Sequence, residues 1–374
     1  MKKGELLTGN KGTYKILKDF EVTGGMSKVT DVQSEKDGKI YFIKEFLSPK
    51  YPINKSISGS STTIEKRKKR CVDFESHHTK INKEIAKKSS IGGNLISAYD
   101  FFRSGTTYYK VCEKVDVSSL STVEISKLPI HNKLLIIRTI VGSLKILHDL
   151  QIVHGDLKPD NILIKSISES RYVAKLIDFD NSYFSSNPPA NSEDVIGTQE
   201  YYSPEMAKYI IGSDGITPAD LTTKSDVFAL GVLFCEYWSG IKPKTKSKYK
   251  YAWQQILDGE SLNFNSKVPK ELENLISIML NLDPKKRPSL SEVINYFRER
   301  PDESIWATSE TEDTSILISD ESTKGFLKKT KLMKKIEEGT SIKSSKKSDT
   351  SFEESETEKS SDDKKNKLKG KLIK

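Results

Sequence analysis

His154-Gly155-Asp156-Leu157-Lys158-Pro159-Asp160-Asn161 runs directly into the apolar triplet Ile162-Leu163-Ile164. Upstream, from Asn132 to Leu150, apolar residues recur with helical period: Leu135, Ile136, Ile140, Leu144 and Leu147 form one stripe, which Leu134, Ile137 and Val141 widen. A polar loop is thus held between a nearly surrounded helix and a short buried strand. Three of its side chains have complementary chemistry. Asp156 is a carboxylate to accept or orient a hydroxyl proton, Lys158 a cation to neutralise a moving phosphoryl group, and Asn161 a neutral oxygen ligand for Mg²⁺. A plain polar turn would explain neither this spacing nor the apolar segments on both sides.

The chain around this loop has 374 residues, with 61 Lys+Arg, 52 Asp+Glu, five His and three Cys, which bounds it at one large or two smaller domains. At 35% hydrophobic and 30% charged, it combines a packed core with a substantial solvated part. Cys71, Cys112 and Cys235 are scattered and odd in number, so neither a disulfide framework nor a zinc module is expected. MKKGELLTGN carries no apolar stretch behind its lysines, and the run Val227 to Trp238 is too short to span a bilayer, so a cytoplasmic protein without a transmembrane segment is expected. The net charge of +9 by itself selects no partner class.

Strand-like runs occupy Tyr14 to Phe46, with Lys36-Asp37-Gly38 as a hairpin turn. Residues 48 to 80 shift to Ser, Lys and Arg and read as a basic insertion or mobile loop, followed by a helix over Ser76 to Lys88 and strands between Ile96 and Val115. After that the apolar period becomes helical. The last 74 residues carry 16 Lys and 16 Asp+Glu with few aromatics, and read as a disordered tail. The expected domains are a 1–13 extension, a folded region over 14–300 whose strand-rich lobe ends near 113 and whose helical lobe starts near 116, and a 301–374 tail.

HGDLKPDN resembles the catalytic loop of the eukaryotic-like, Hanks-type protein kinases, and further motifs follow in the family's order. Asp178-Phe179-Asp180 resembles the metal-binding DFG, with Asp in place of the third-position Gly. Tyr41-Phe42-Ile43-Lys44 resembles the strand whose lysine holds the nucleotide's α- and β-phosphates. Gly24-Gly25-Met26-Ser27 with Val29 looks like a phosphate-covering loop, although Val22 and Ser27 stand where glycines are usual. Glu113 and Val115 lie where the family reads adenine through its backbone, with Cys112 guarding the back of that pocket. Gly197-Thr198, Tyr201-Tyr202-Ser203-Pro204-Glu205, Asp226 with Gly231, and Arg287 match the family's helical lobe.

The resemblance implies an α+β, bilobal protein-kinase-like fold: a small antiparallel β-sheet N-lobe with one main helix, and a larger helical C-lobe. It implies transfer of the ATP γ-phosphoryl to Ser or Thr of protein substrates, with autophosphorylation included. Asp156 and Lys158 would be catalytic, Asn161 and Asp178 would hold Mg²⁺ (or Mn²⁺), and Gly24, Gly25, Met26, Ser27, Val29, Lys44, Glu84, Glu113 and Val115 would hold the nucleotide. Glu84 is the expected helix partner of Lys44, with Glu75 behind it. Thr198 would bridge Asp156 and Lys158, Asp226 would brace the catalytic-loop backbone, and Glu205 would pair with Arg287. Gly155, where many members carry Arg, leaves no side chain to clamp a phosphorylated segment. A nucleotide-binding scaffold and a small-molecule phosphotransferase of related fold remain as alternatives. The basic run Glu65 to Arg70 reads as a solvated loop, or a nuclear signal if the source is eukaryotic. No aromatics interleave with it, so nucleic acid is not an expected partner. Oligomeric state is left open.

Overall fold

The computed structural model describes residues 1–23, 27–53, 61–89, 94–115, 119–168 and 171–308. Alternating apolar residues build an antiparallel sheet from β1 (Leu6–Thr8), β2 (Thr13–Ile16), β3 (Glu21–Thr23), β4 (Ser27–Ser34), β5 (Ile40–Phe46), β6 (Ala98–Ser104) and β7 (Thr107–Glu113). The strand order is β1-β2-β4-β5-β7-β6, with β3 added on β4. Between β4 and β5, Gly38 takes the left-handed turn (φ 68°) that the hairpin needs. Tyr14, Ile16, Val32, Tyr41, Ile43 and Val111 line one buried face of the sheet.

Helix α1 (Ser61–Ser89) corrects the expectation for residues 48 to 80. It starts fifteen residues before the expected Ser76, so Glu65 to Arg70 form solvated helix instead of a loop. Cys71, Phe74, His78, Ile81 and Ile85 recur at spacings of three and four. The first three pack against Phe46, Phe101 and Tyr108 of the sheet, and Ile81 and Ile85 are buried too. Lys and Arg are good helix formers, so the basic run extends this helix while staying mostly exposed, with only Lys68 partly buried.

The larger lobe contains α2 (Thr122–Ser126), α3 (Ile130–Asp149), α4 (Pro204–Ile211), α5 (Lys224–Ser239), α6 (Ala252–Leu257), α7 (Lys270–Met279) and α8 (Leu290–Arg298). It also holds the paired strands β8 (Ile152–Val153) with β11 (Tyr183–Phe184), and β9 (Ile162–Ser168) with β10 (Arg171–Leu176). The chain is bilobal and α+β, as expected. In α3, Leu134, Ile136, Ile137, Ile140, Val141, Leu144 and Leu147 are buried, whereas Leu135 is 37% exposed and leaves the expected stripe. Helix α5 is buried from Ser225 to Ser239. No described helix is long and apolar enough to cross a membrane.

Both domain edges shift. Residues expected as an N-terminal extension contribute β1, which pairs with β2 and buries Leu7. At the other end, Trp306 is 1% exposed and packs on Trp238 and Phe297, carrying the folded unit from 300 to 306. The rest of the expected tail, from 309 onward, lies outside the described residues.

Candidate active site

The loop after β8 is held from below by α5. Asp226 accepts hydrogen bonds from the backbone N–H groups of His154 (2.7 Å) and Gly155 (3.1 Å), and it meets His148 Nε2 at 3.1 Å. A buried carboxylate with three partners costs little and fixes two successive peptide planes. Gly155 has φ 80°, and a Cβ there would stand 2.5 Å from the Asn181 carbonyl oxygen. Any side chain at this position is therefore excluded by backbone as well as absent, which agrees with the missing clamp.

Above the brace, the three chemistry-bearing side chains of the loop converge. Lys158 Nζ donates to Thr198 Oγ1 (2.9 Å), and Thr198 Oγ1 donates to Asp156 Oδ1 (2.8 Å). Lys158 Nζ also lies 3.3 Å from Asp156 Oδ2. Asn161 donates its amide N–H to the Asp156 carbonyl (2.7 Å), which leaves its own side-chain oxygen free for another partner. Ile177 N–H donates to the Asn161 carbonyl (3.0 Å), tying this loop to the Asp178 segment. Phe179 is buried and packs against His154, with ring centroids 5.4 Å apart. Asp178 has φ 61°, a left-handed conformation that costs an L-residue about 1–2 kcal/mol and that surrounding structure must enforce.

Lys44, on β5, reaches this segment. Its Nζ donates to Asp178 Oδ1 (2.8 Å) and Oδ2 (2.9 Å) and to Asp180 Oδ2 (2.7 Å). Burial works against the ammonium, but attraction to Asp180 and Asp178 raises its pKa above the usual lysine range. Asp178 is raised by burial and by the Asp180 charge beside it. Asp180 is itself held well below the carboxylate range, because Lys110 and Lys44 outweigh its burial. Lys110 was not foreseen as a site residue. It is 4% exposed, directly opposite Lys44 across β5 and β7, and its Nζ donates to Asp180 Oδ1 at 2.6 Å.

Glu84 does not fill the role expected of it. It pairs with Lys87 at 2.6 Å, one turn along its own helix. Glu75 accepts from the Tyr108 hydroxyl at 2.7 Å and sits 3.6 Å from Arg103. Helix α1 turns other residues toward the site. His78 packs between Phe46 and Phe101, and burial pushes it down to about 3. His77 Nε2 lies 2.8 Å from the Ser182 carbonyl. Burial lowers His77 too, and because a carbonyl oxygen only accepts, Nε2 is the nitrogen that donates to it.

Of the remaining nucleotide candidates, Ser27 opens β4 and is buried, and Val29 lies directly across from Lys44. Glu113 closes β7 with Val115 two residues on, and burial pushes the neighbouring Cys112 thiol up to about 11. Gly24, Gly25 and Met26 lie outside the described residues. Farther down, Glu205 and Arg287 form a buried bidentate pair (2.7 and 2.8 Å), and Ser225 donates to the same carboxylate at 2.9 Å. Ser203 caps α4 by accepting from Met206 N–H.

A hydrogen-bonded Asp–Thr–Lys group in the helical lobe, with a lysine of the antiparallel sheet reaching a second acidic segment, is the arrangement of a protein kinase. The chain belongs to that family: residues 23–297 match the protein kinase domain. Its relatives make it a Hanks-type serine/threonine kinase. It is 30% identical over 292 residues to an Aurora kinase of Candida glabrata, an alignment covering 76% of this chain and 72% of that protein. It is 31% identical over 205 residues to the serine/threonine-protein kinase PrkC of Bacillus subtilis (53% and 30%), and 28% over 223 residues to a calcium and calcium/calmodulin-dependent serine/threonine-protein kinase of Pisum sativum (58% and 40%). The chain thus spans less than half the length of the last two. Protein kinase domains use ATP and a divalent cation.

Proposed function

We propose that this site transfers the ATP γ-phosphoryl to Ser and Thr hydroxyls of protein substrates, with Mg²⁺ as the working cation and Mn²⁺ as a substitute. The observation that carries the proposal is the Thr198 hydroxyl shared between Asp156 and Lys158. It aims a carboxylate and an ammonium at one point, where an acceptor hydroxyl and a transferring phosphoryl need opposite charges. Asp156 orients the acceptor hydroxyl and receives its proton, and Lys158 neutralises charge on the transferring group.

The donor set suits a hard cation. Asp178 and the Asn161 side-chain oxygen are oxygen donors, and no cluster of three or more His, Cys, Asp or Glu among the described residues builds a dedicated cage. That combination fits Mg²⁺, which keeps waters and substrate phosphates in its shell. When bound, the nucleotide supplies the phosphoryl group and the cation neutralises its phosphate oxygens. Lys44 would hold the α- and β-phosphates, Ser27 and Val29 would line the covering strand, and the Glu113 and Val115 backbone would read adenine. Three free cysteines, two of them buried, support a reducing, cytoplasmic location.

The purified chain incubated with Mg²⁺, labelled ATP and a generic basic protein should place label on Ser or Thr, and Asp156→Ala should abolish it. Nucleotide binding without transfer to any protein, or transfer unaffected by Asp156→Ala, would refute this mechanism.

A further inference from the structure

Lys44 and Lys110 are register partners across β5 and β7, so two ammonium groups project from directly opposed positions on one face of the sheet. Like charges placed opposite each other destabilise a sheet, and a buried lysine without an anion is costlier still. Asp180 resolves both problems. One of its oxygens meets Lys44 Nζ at 2.7 Å and the other meets Lys110 Nζ at 2.6 Å, with the three side chains 16%, 5% and 13% exposed for Lys44, Lys110 and Asp180. With Asp178, the cluster holds two positive and two negative charges. No carboxylate of α1 pairs with Lys44 among the described residues; Glu84 and Glu75 are both engaged elsewhere.

We propose that Asp180 is the positioning residue for Lys44, standing in for a helix carboxylate, and that Lys110 fixes Asp180 in turn. Asp180 in place of the usual glycine and the buried Lys110 are then one device. Glycine at position 180 would leave Lys110 buried without an anion, and an apolar residue at 110 would leave one Asp180 oxygen unpaired. Asp178 also touches Lys44, but its carboxylate is the one required by a divalent cation. Asp180 remains as the counter-ion dedicated to the lysine. This inference rests on the kinase function proposed above for the same site.

The test compares wild type, Asp180→Asn and Asp180→Asn/Lys110→Met in the full chain, by thermal unfolding, isothermal titration with MgATP, and steady-state kinetics. Asp180→Asn keeps the side-chain volume but removes its charge. It should lower the melting temperature, weaken MgATP binding about tenfold and cut kcat by at least as much. Adding Lys110→Met removes the orphaned charge and should restore the melting temperature, while MgATP affinity and kcat stay low. MgATP affinity within roughly twofold of wild type in the single variant would overturn the proposal. So would recovery of affinity together with stability in the double variant, which would reduce Asp180 to a structural partner of Lys110. Because binding is measured apart from turnover, a wild type that binds MgATP but transfers nothing would sink the proposed function while the titrations still decide the role of Asp180.

Discussion

At the scale of single residues, the proposed catalytic centre is organised around one hydroxyl. Thr198 donates to Asp156 and accepts from Lys158, so a defined hydroxyl intermediary bridges the two charges and fixes the geometry of their 3.3 Å ion pair. Thr198→Ala removes that intermediary and leaves Lys158 free to close on Asp156, already 3.3 Å away. We expect kcat to fall on the order of tenfold to a hundredfold with little change in the KM for ATP, and Thr198→Ser to recover most of it. Steady-state kinetics with ATP varied at saturating protein substrate will check this; a KM effect without a kcat effect would place Thr198 in nucleotide binding. That Asp156, Lys158, Asn161 and Thr198 come together was legible in the sequence, because three of them share one short loop and the fourth sits in one motif. Glu84 was misplaced because helical spacing alone does not say which face of α1 turns inward.

Helix α1 shows what the sequence obscured at the scale of elements. Its basic first half looks like an insertion because charge dominates composition, yet Cys71, Phe74 and His78 carry a helical repeat onto the sheet. His78 makes this interface sensitive to pH. Around it are Asp180, which favours its protonation, and Lys110, His77 and Lys44, which oppose it, all of them secondary to burial. Its folded value of about 3 lies below the unfolded 6.5, so between these limits the unfolded chain binds a proton that the folded chain refuses. The stabilisation is complete above pH 6.5 and is lost as pH falls toward 3. At pH 5 the loss amounts to about 2 kcal/mol, and His77, lowered in the same direction, adds to the trend. Urea unfolding at pH 7 and pH 5 should show this drop in wild type, and His78→Gln should remove the His78 share. An equal drop in the variant would assign the pH dependence to other groups.

Across the whole molecule, distant segments are locked by charge. Glu205 at the start of α4 and Arg287 before α8 lie 82 positions apart and form a buried bidentate pair that also engages Ser225 and the Lys224 carbonyl. Removing one partner strands the other charge in the core. Arg287→Met should therefore cost about 3–5 kcal/mol, and adding Glu205→Gln should recover a large part of it. Denaturant unfolding of the two variants will measure this; additive losses would mean that the pair is not coupled. The pairing was legible in advance because two motifs of known order each needed a partner. The edges of the fold were not: β1 and Trp306 contribute contacts that no local pattern marks.

The sequence by itself determined the bilobal order of strands and helices, the catalytic loop, and the Asp226 and Arg287 anchors, since periodicity and short motifs act over a few residues at a time. Tertiary structure decided which carboxylate meets Lys44. Asp178 and Asp180 lie 134 and 136 positions away, and only the stacking of β5, β7 and the 178–180 turn brings them within hydrogen-bond distance. Lys110 had a visible signal, a lysine inside the strand TYYKVCE, but its meaning depended on the residue placed opposite it. Electrostatics in a buried site is set by distance in space and by the exclusion of water, and neither quantity is written in the linear order of residues.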